Sequence, residues 1–469
     1  MTIAPLQPPA LPNTVGELRA SGHEQRSVKD ELRENLLTLM RDGGPRFEGI
    51  VGFDDTVLPE LEAALLAGHD LVLLGERGHG KTRLMRTLGQ ILDEWTPVIE
   101  GSELNEHPYQ PLTAASRRRA AELGDDLPVG WLHRSLRYSE KLATPDTSVG
   151  DLIGDVDPVR VAQGRTLGDP ETIHFGLVPR TNRGIFAVNE LPDLAERIQV
   201  ALLNVLEERD IQVRGYQLRL PLDLLLVASA NPEDYTNRGR IITPLKDRFG
   251  AEIRTHYPLD LDVELDLVRQ EAQLFATVPE HVLEVVARFT RAVRDSPAVD
   301  ARSGVSARFA VAAAETVAAS ALRRAALLGE PEPVARVGDT ESVVGTLRGK
   351  VEFESGQEGR EIEVLAHLLR TSVAETFRAH LAGLDLSGFV ALVADGQSLE
   401  TGELVGAAEV LQQVGGVAGL GKVLDRLGMA DAPTPGEAAA GIELVLEGLH
   451  LTRRLAKDTT TDGRTVYGG

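Results

Sequence analysis

The sequence of 469 residues contains no cysteine. The chain can therefore form neither disulfide bonds nor thiolate metal sites, and a reducing compartment such as the cytoplasm is its expected setting. No run of about 18 or more apolar residues is present, which argues against a membrane-spanning helix. The opening stretch, MTIAPLQPPALP, has no basic segment followed by an apolar one, so we expect no secretory signal.

Positive charge is also in short supply. The 49 lysine and arginine residues face 71 aspartate and glutamate residues, which gives a formal net charge of −22. Such a field repels phosphate backbones, and we therefore expect no nucleic-acid partner. Only seven of the basic residues are lysines, so a lysine inside a glycine-rich loop stands out.

The arrangement of apolar residues changes along the chain. Short apolar runs alternate with helical patterns at first, which predicts a parallel α/β sheet with strands at 70–74, 135–140, 184–190, 224–231 and 250–258. After Pro258 the apolar period becomes 3.6 residues, which predicts helices. We expect a leader and helix at 1–45, an α/β nucleotide-binding domain at 46–260, a helical lid at 261–345, a helical C-terminal domain at 346–457 and a disordered tail at 458–469.

One glycine-rich stretch, GERGHGKT, lies between the first predicted strand and a helical pattern. It fits the phosphate-loop motif G-x-x-x-x-G-K-[ST], although a chance glycine turn is the alternative. Such a loop turns backbone N–H groups toward phosphates, with its lysine bridging phosphate oxygens and its hydroxyl coordinating Mg²⁺. We expect ATP and Mg²⁺ to bind there, the contacting residues being Gly75, Glu76, Arg77, Gly78, His79, Gly80, Lys81, Thr82 and Arg83.

Hydrolysis needs a second, acidic site at the tip of a neighbouring strand. The stretch GIFAVNEL places Asn189 and Glu190 directly after buried-strand character, and Glu190 is suited to polarise an attacking water. Its alternative role is a carboxylate at a helix start. A usual ATPase carries aspartate where Asn189 stands, so we expect weaker Mg²⁺ binding or slower turnover. Replacing Asn189 by aspartate should then raise the rate or tighten Mg²⁺ binding.

Three further polar residues follow at intervals. Asn231, after the apolar run LLLVASA, could orient the attacking water, although an Asn-Pro pair also opens ordinary turns. Arg248, in LKDRFG, could reach the γ-phosphate of a neighbouring subunit, with Lys246 as a competing candidate. Arg308, in GVSARF, could contact the phosphates from the lid, or be an ordinary surface arginine.

The ordered set GERGHGKT, GIFAVNEL, ASANPED, LKDRFG and GVSARF resembles the AAA+ ATPases over about residues 46–330. Within them it is most similar to the group of the magnesium chelatase ATPase subunit and the MoxR proteins. The resemblance implies an AAA+ core with an all-α lid. By this resemblance, Lys81 and Thr82 match Walker A, and Asn189 and Glu190 match Walker B. Asn231 matches sensor 1, Arg248 the arginine finger and Arg308 the sensor 2 arginine. The implied metal site consists of Thr82, Asn189 and Glu190. Ala307 replaces the usual proline of the last motif.

The resemblance also implies a function. It is Mg²⁺-dependent ATP hydrolysis by a homohexameric ring that remodels or loads a protein partner, one with a von Willebrand factor A-type domain. Inserts at 151–180 and 207–224 are similar to those with which the group moves partners. For the basic segment at 113–126 we recognise no match, and we expect a solvated helix face, with a partner or nucleotide contact as the alternative. The alternatives are a nucleotide-gated scaffold with little hydrolysis and a metal-chelatase subunit. An enhancer-binding transcription activator is disfavoured, because we find neither its G-A-F-T-G-A loop nor a helix-turn-helix.

Overall fold

The computed structural model describes residues 10–157, 172–207, 210–213, 216–232, 240–300, 304–394, 398–414, 416–429, 432–460 and 464–468. The chain divides into two compact units, Met1–His256 and Tyr257–Gly469, each of which is described by itself. Within the described ranges, no helix combines the length and the apolar character needed to cross a membrane.

The first unit combines strands and helices. Its described strands are β1 (Leu71–Leu74), β2 (Trp95–Ile99), β3 (Val129–His133), β4 (Tyr138–Leu142), β5 (Gly154–Val156), β6 (Ile173–Phe175), β7 (Gly184–Asn189), β8 (Asp210–Val213), β9 (Tyr216–Arg219), β10 (Leu224–Ala230) and β11 (Ala251–Arg254). Its described helices are α1 (Val15–Ala20), α2 (Val28–Asp42), α3 (Val57–Leu66), α4 (Lys81–Thr87), α5 (Ala114–Leu123), α6 (Val149–Leu152), α7 (Leu177–Arg180), α8 (Glu196–Glu207) and α9 (Thr243–Arg248).

Five strands form the central sheet in the order β11-β1-β10-β7-β4. All four neighbouring pairs are parallel, with Leu74 opposite Ala230 in one of them. Because β7 is buried along its whole length, its apolar run fits a strand covered on both faces. These are the five strands that the apolar runs predict, and the predicted α/β fold with a parallel five-stranded sheet flanked by helices is confirmed.

Two predicted projections are described in part. The stretch 207–224 contains the antiparallel pair β8 and β9, as expected of a hairpin, while its turn at 214–215 lies outside the described residues. The insert at 151–180 contains the antiparallel pair β5 and β6, and residues 158–171 of it lie outside the described residues. The basic segment at 113–126 forms α5, capped at its start by the Thr113 hydroxyl, with Arg117 and Arg118 exposed.

The N-terminal helix α2 belongs to the first unit. Its start is capped by the Ser27 hydroxyl, and Gly43 ends it in a left-handed conformation. Its apolar face, with Leu32 and Leu36, is buried in the same core as the sheet residue Leu71. The predicted boundary between 45 and 46 therefore does not separate two compact units, since the helix and the sheet share one apolar core.

The second unit is largely helical. Its described helices are α10 (Leu261–Glu271), α11 (Glu280–Arg294), α12 (Ala307–Leu328), α13 (Ser342–Leu347), α14 (Glu361–Leu381), α15 (Ser387–Ala394), α16 (Ala407–Val414), α17 (Leu420–Arg426) and α18 (Pro435–Leu451). A three-stranded antiparallel sheet of order β12-β14-β13 completes it, with β12 at Leu399–Thr401, β13 at Ala456–Thr459 and β14 at Thr465–Gly468.

A single apolar core runs through the second unit. It contains residues from the predicted lid and residues from the predicted C-terminal domain, among them Leu265, Phe289, Val317, Leu369, Phe389 and Leu446. Helix α18 lies at its centre, with most of its residues buried. The predicted boundary at 345/346 therefore lies inside one compact unit, because α14 and α18 cover apolar surface that a separate lid would expose to water.

The prediction of a disordered tail at 458–469 is wrong for the described residues. Strand β14 pairs with both β12 and β13, and its Tyr467 is 3% exposed. The Tyr467 hydroxyl donates to Glu447 Oε2 at 2.5 Å, and Lys457 Nζ donates to the same oxygen at 2.9 Å. Burial above all raises the pKa of Tyr467 well above its usual value, so the phenol stays protonated as the donor. A buried aromatic ring and a shared carboxylate hold the tail in place.

Candidate functional site

The glycine-rich loop connects β1 to α4 and has the backbone that its glycines require. A Cβ on Gly75 would lie 2.0 Å from Thr255 Oγ1, so only glycine fits against the end of β11. Gly80 has φ 72°, a left-handed conformation that glycine adopts at little cost. His79 Nδ1 donates to the Thr255 carbonyl at 2.9 Å. The loop is therefore fixed between two strands of the sheet.

Lys81 begins α4 and is 6% exposed. Its Nζ donates to the carbonyl of Gly75 and, at 2.8 Å, to that of Glu76. Both of these acceptors are neutral carbonyl oxygens of the glycine-rich loop. Of the other predicted contact residues, Arg77 and Arg83 are exposed, and the Arg83 guanidinium lies beside Gly49.

Asn189, the last residue of β7, joins this loop to the neighbouring strands. Its Oδ1 accepts from the hydroxyls of Thr82 and Ser229, each at 3.2 Å. Its Nδ2 donates to Glu140 Oε1 at 2.6 Å. The residue is 6% exposed. The structure thus brings the predicted metal-site residues Thr82 and Asn189 into direct contact and adds Glu140, which the sequence motifs do not include.

Glu190 follows Asn189 in a strained backbone conformation. Its φ of 56° and ψ of 48° lie in the left-handed region, which costs a non-glycine residue about 1–2 kcal/mol. Its N–H donates to Ser229 Oγ at 3.1 Å. Strain of this kind concentrates at functional sites, where surrounding structure maintains it. Its conformation therefore favours a functional role for Glu190 over that of an ordinary carboxylate at a helix start.

Asn231 directly follows β10 and is 4% exposed. The residue before it, Ala230, lies opposite Leu74, and its carbonyl accepts from the Gly75 N–H at 3.2 Å. Because parallel strands end at the same edge of a sheet, Asn231 lies at the edge where the glycine-rich loop begins. The predicted water-positioning residue and the predicted phosphate loop are therefore neighbours.

The two predicted arginines, Arg248 and Arg308, belong to helices α9 and α12. Arg248 ends α9 with its side chain about half exposed, and its Nη2 donates to Glu207 at the end of α8. Lys246, the competing candidate, pairs with Glu252 at 3.4 Å. Arg308 is exposed in the first turn of α12, within the second unit.

Two side chains at the site, Glu140 and Arg86, belong to none of the predicted site residues. Glu140 on β4 accepts from Arg86 Nε at 2.7 Å and from Arg86 Nη2 at 3.0 Å, as well as from Asn189. The hydrogen bond to Glu140 raises the pKa of Arg86 above its usual value. The spacing of Thr82 and Arg86, four residues apart on one helix, is the signal that could have indicated a shared face.

The comparisons with known proteins agree with the motifs in part. Residues 166–248 match the family model of the sigma-54 interaction domain. The chain is similar to AAA+ ATPases. It is 23% identical over 235 residues to the acetoin dehydrogenase operon transcriptional activator AcoR of Bacillus subtilis (strain 168), an alignment that covers 49% of this chain and 31% of the activator. The chain therefore spans less than a third of that curated relative.

Two solved structures are similar as well. In the complex between subunits BchI and BchD of magnesium chelatase, the match covers 68% of this chain and 98% of that chain, with 22% identity and a TM-score of 0.34. For the RuvB Holliday junction branch migration motor of Thermotoga maritima, it covers 90% and 94%, with 12% identity and a TM-score of 0.36. Both TM-scores lie below 0.5.

Proposed function

We propose that the chain is a Mg²⁺-dependent ATPase that hydrolyses ATP to ADP and phosphate at the edge formed by β1, β7 and β10. The observation that carries this proposal is the contact between Thr82 and Asn189 beside the left-handed Glu190. It joins a phosphate-loop hydroxyl to the two polar residues that end the neighbouring strand. The oxygens of Thr82 and Asn189 are suited to a hard cation such as Mg²⁺.

Each side chain has a distinct task in this proposal. ATP with Mg²⁺, when bound, supplies the phosphoryl group that passes to water. Lys81 turns from the carbonyls of Gly75 and Glu76 to contact phosphate oxygens. Glu190 accepts a hydrogen bond from the attacking water and orients it, and Asn231 fixes the water from the next strand. Arg308 would contact the phosphates in cis from the second unit.

Arg248 is the proposed trans residue. We infer that it exchanges its partner Glu207 for the γ-phosphate bound to an adjoining copy, so that hydrolysis requires assembly into a ring, which we propose to be a homohexamer. The ring would act in the cytoplasm as a chaperone-type motor on a protein partner with a von Willebrand factor A-type domain. The MoxR-like motif set supports this partner class.

Mixing two inactive variants tests the trans arrangement. We expect Arg248→Ala and Glu190→Gln each to abolish most ATP turnover, and their mixture to regain a fraction of it. In the mixture, some interfaces combine an intact Glu190 with an intact Arg248 from the next copy. Phosphate release is measured as the two proteins are titrated together.

The matched control is Lys246→Ala, which removes a cation two residues away on the same helix and should retain turnover. A mixture no more active than the sum of its components would contradict the trans role. Full activity of Arg248→Ala alone would contradict any role of this arginine in the reaction.

A second candidate function follows from the match of residues 166–248 to the sigma-54 interaction domain. In this candidate, the ring acts on sigma-54 in transcription activation. The absence of a G-A-F-T-G-A sequence and the net charge of −22 weigh against it. Co-purification of the Glu190→Gln variant with sigma-54, in ATP, would favour this candidate over the von Willebrand factor A-domain partner.

A further inference from the structure

The site contains Asn189 where a metal-binding carboxylate would be expected, and the Glu140 carboxylate is hydrogen-bonded to this asparagine. On β4, Glu140 is opposite Ala187 of β7, and Asn189 is two residues beyond Ala187. Because side chains alternate along a strand, Glu140 and Asn189 emerge on the same face of the sheet. Thr82 and Arg86, four residues apart on α4, contact these two residues in turn.

The carboxylate determines which end of the Asn189 amide faces the phosphate loop. An ionised carboxylate accepts hydrogen bonds but donates none, so it requires the amide nitrogen. With Nδ2 held by Glu140 at 2.6 Å, Oδ1 faces the Thr82 hydroxyl and accepts its hydrogen at 3.2 Å. The lone pairs of Thr82 Oγ1 are then directed away from Asn189 and remain available to a metal ion.

The opposite orientation of the amide would have the opposite effect. The amide NH₂ would donate to Thr82 Oγ1 and occupy a lone pair that the metal ion needs. An aspartate at position 189 would present an acceptor to Thr82 in either orientation, since both of its carboxylate oxygens are acceptors. An asparagine needs a neighbour that fixes its orientation, and Glu140 is that neighbour.

We propose that Glu140 is a positioning residue that takes over part of the task of the missing aspartate. It orients the Asn189 amide for metal binding and keeps a negative charge on the next strand, partly balanced by Arg86. This inference rests on the proposed ATPase site and adds to it the residue that allows an asparagine to bind the metal ion there. It also implies that Asn189→Asp destabilises the protein, because the new carboxylate would lie at hydrogen-bond distance from the Glu140 carboxylate and the two would repel each other.

The first test measures how strongly Mg²⁺ tightens nucleotide binding. Calorimetry gives the affinity for a non-hydrolysable ATP analogue in Mg²⁺ and in EDTA, and the ratio of the two is the readout. We expect Glu140→Ala to lower this ratio about 10-fold while leaving the affinity in EDTA within about twofold, because only the metal step depends on the amide orientation. Glu140→Gln should lower the ratio less, since its carbonyl can still accept from Asn189.

Two control variants separate positioning from packing. Arg86→Gln removes the guanidinium partner of Glu140 but leaves its contacts with Asn189 and with the Tyr138 hydroxyl, so the ratio should stay within about threefold of the wild type. Glu122→Gln removes a surface carboxylate from α5 and should leave this ratio unchanged. An unchanged ratio in Glu140→Ala, or an equal fall in Arg86→Gln, would overturn the proposal.

The second test needs no nucleotide and so distinguishes a failure of this inference from a failure of the ATPase proposal. Asn189→Asp alone should lower the melting temperature at pH 8 by about 5 °C. The double variant Glu140→Gln with Asn189→Asp exchanges carboxylate and amide, restores the hydrogen bond in reverse and should regain most of that loss. A double variant no more stable than Asn189→Asp would show that the two side chains do not interact, and the inference would fall.

Discussion

Replacing Glu190 by glutamine should lower ATP turnover about 10²- to 10⁴-fold, the range typical of losing a residue that takes up a proton or orients the nucleophile. The amide keeps the size of the side chain but cannot act as a base. Since Glu190 is not part of the phosphate loop, the affinity for nucleotide should stay within a few-fold of the wild type. Steady-state phosphate release and binding of a fluorescent nucleotide measure the two quantities separately.

Glu196→Gln is the matched control for this experiment. Glu196 is exposed at the start of α8, six residues after Glu190, and its replacement should leave turnover unchanged. Equal turnover in the wild type and in Glu190→Gln would contradict the catalytic assignment. It would favour the alternative of a nucleotide-gated scaffold that binds ATP and barely hydrolyses it.

Glu31→Gln should destabilise the first unit by about 3–5 kcal/mol, the cost of leaving a buried charge without its partner. Glu31, on α2, accepts two hydrogen bonds from Arg137, at 2.6 and 2.7 Å, and the two residues are 4% and 1% exposed. The variant leaves the Arg137 guanidinium buried, bonded to the Arg183 carbonyl, and without its one ion-pair partner among the residues that the structure describes. The pair therefore attaches the N-terminal helix to the sheet edge.

Tryptophan fluorescence during urea unfolding measures this loss selectively. Both tryptophans of the chain, Trp95 and Trp131, lie in the first unit, so the signal reports that unit and not the second. Asp125→Asn is the matched control, because its pair with Arg19 is exposed on both sides and should contribute less than about 1 kcal/mol. Equal midpoints for Glu31→Gln and Asp125→Asn would contradict the predicted cost of the buried pair.

The sequence predicts the central sheet well because its signals are local. Buried parallel strands are short apolar runs, and the polar residues that follow them, Asn189 and Asn231, mark the carboxyl edge of the sheet. The phosphate loop is equally local, since its glycines and Lys81 lie within eight consecutive residues. The apolar period of 3.6 residues after Pro258 likewise indicates a helical second unit, although it does not predict the short helices Ser342–Leu347 and Ser387–Ala394.

Features that depend on distant pairing could not be predicted in this way. The contact between Glu140 and Asn189 depends on the register of β4 against β7, which no local pattern determines. The strands β13 and β14 are polar and look like a disordered tail until Tyr467 and Lys457 meet Glu447. The predicted boundary at 260/261 lies close to the division between the two compact units, whereas those at 45/46 and 345/346 each lie within a shared apolar core, which is a property of long-range contacts.

The central claim is that the loop from Gly75 to Thr82 binds a nucleoside triphosphate, and titration calorimetry with a non-hydrolysable ATP analogue and Mg²⁺ tests it most directly. We predict that the wild type binds up to one analogue per chain and that Lys81→Ala weakens binding about 10- to 100-fold, the value of one charge-assisted contact. Lys350→Ala, at an exposed lysine of the second unit, should bind as the wild type does. Absence of binding heat in the wild type at excess analogue, or equal affinity in Lys81→Ala, would contradict the account.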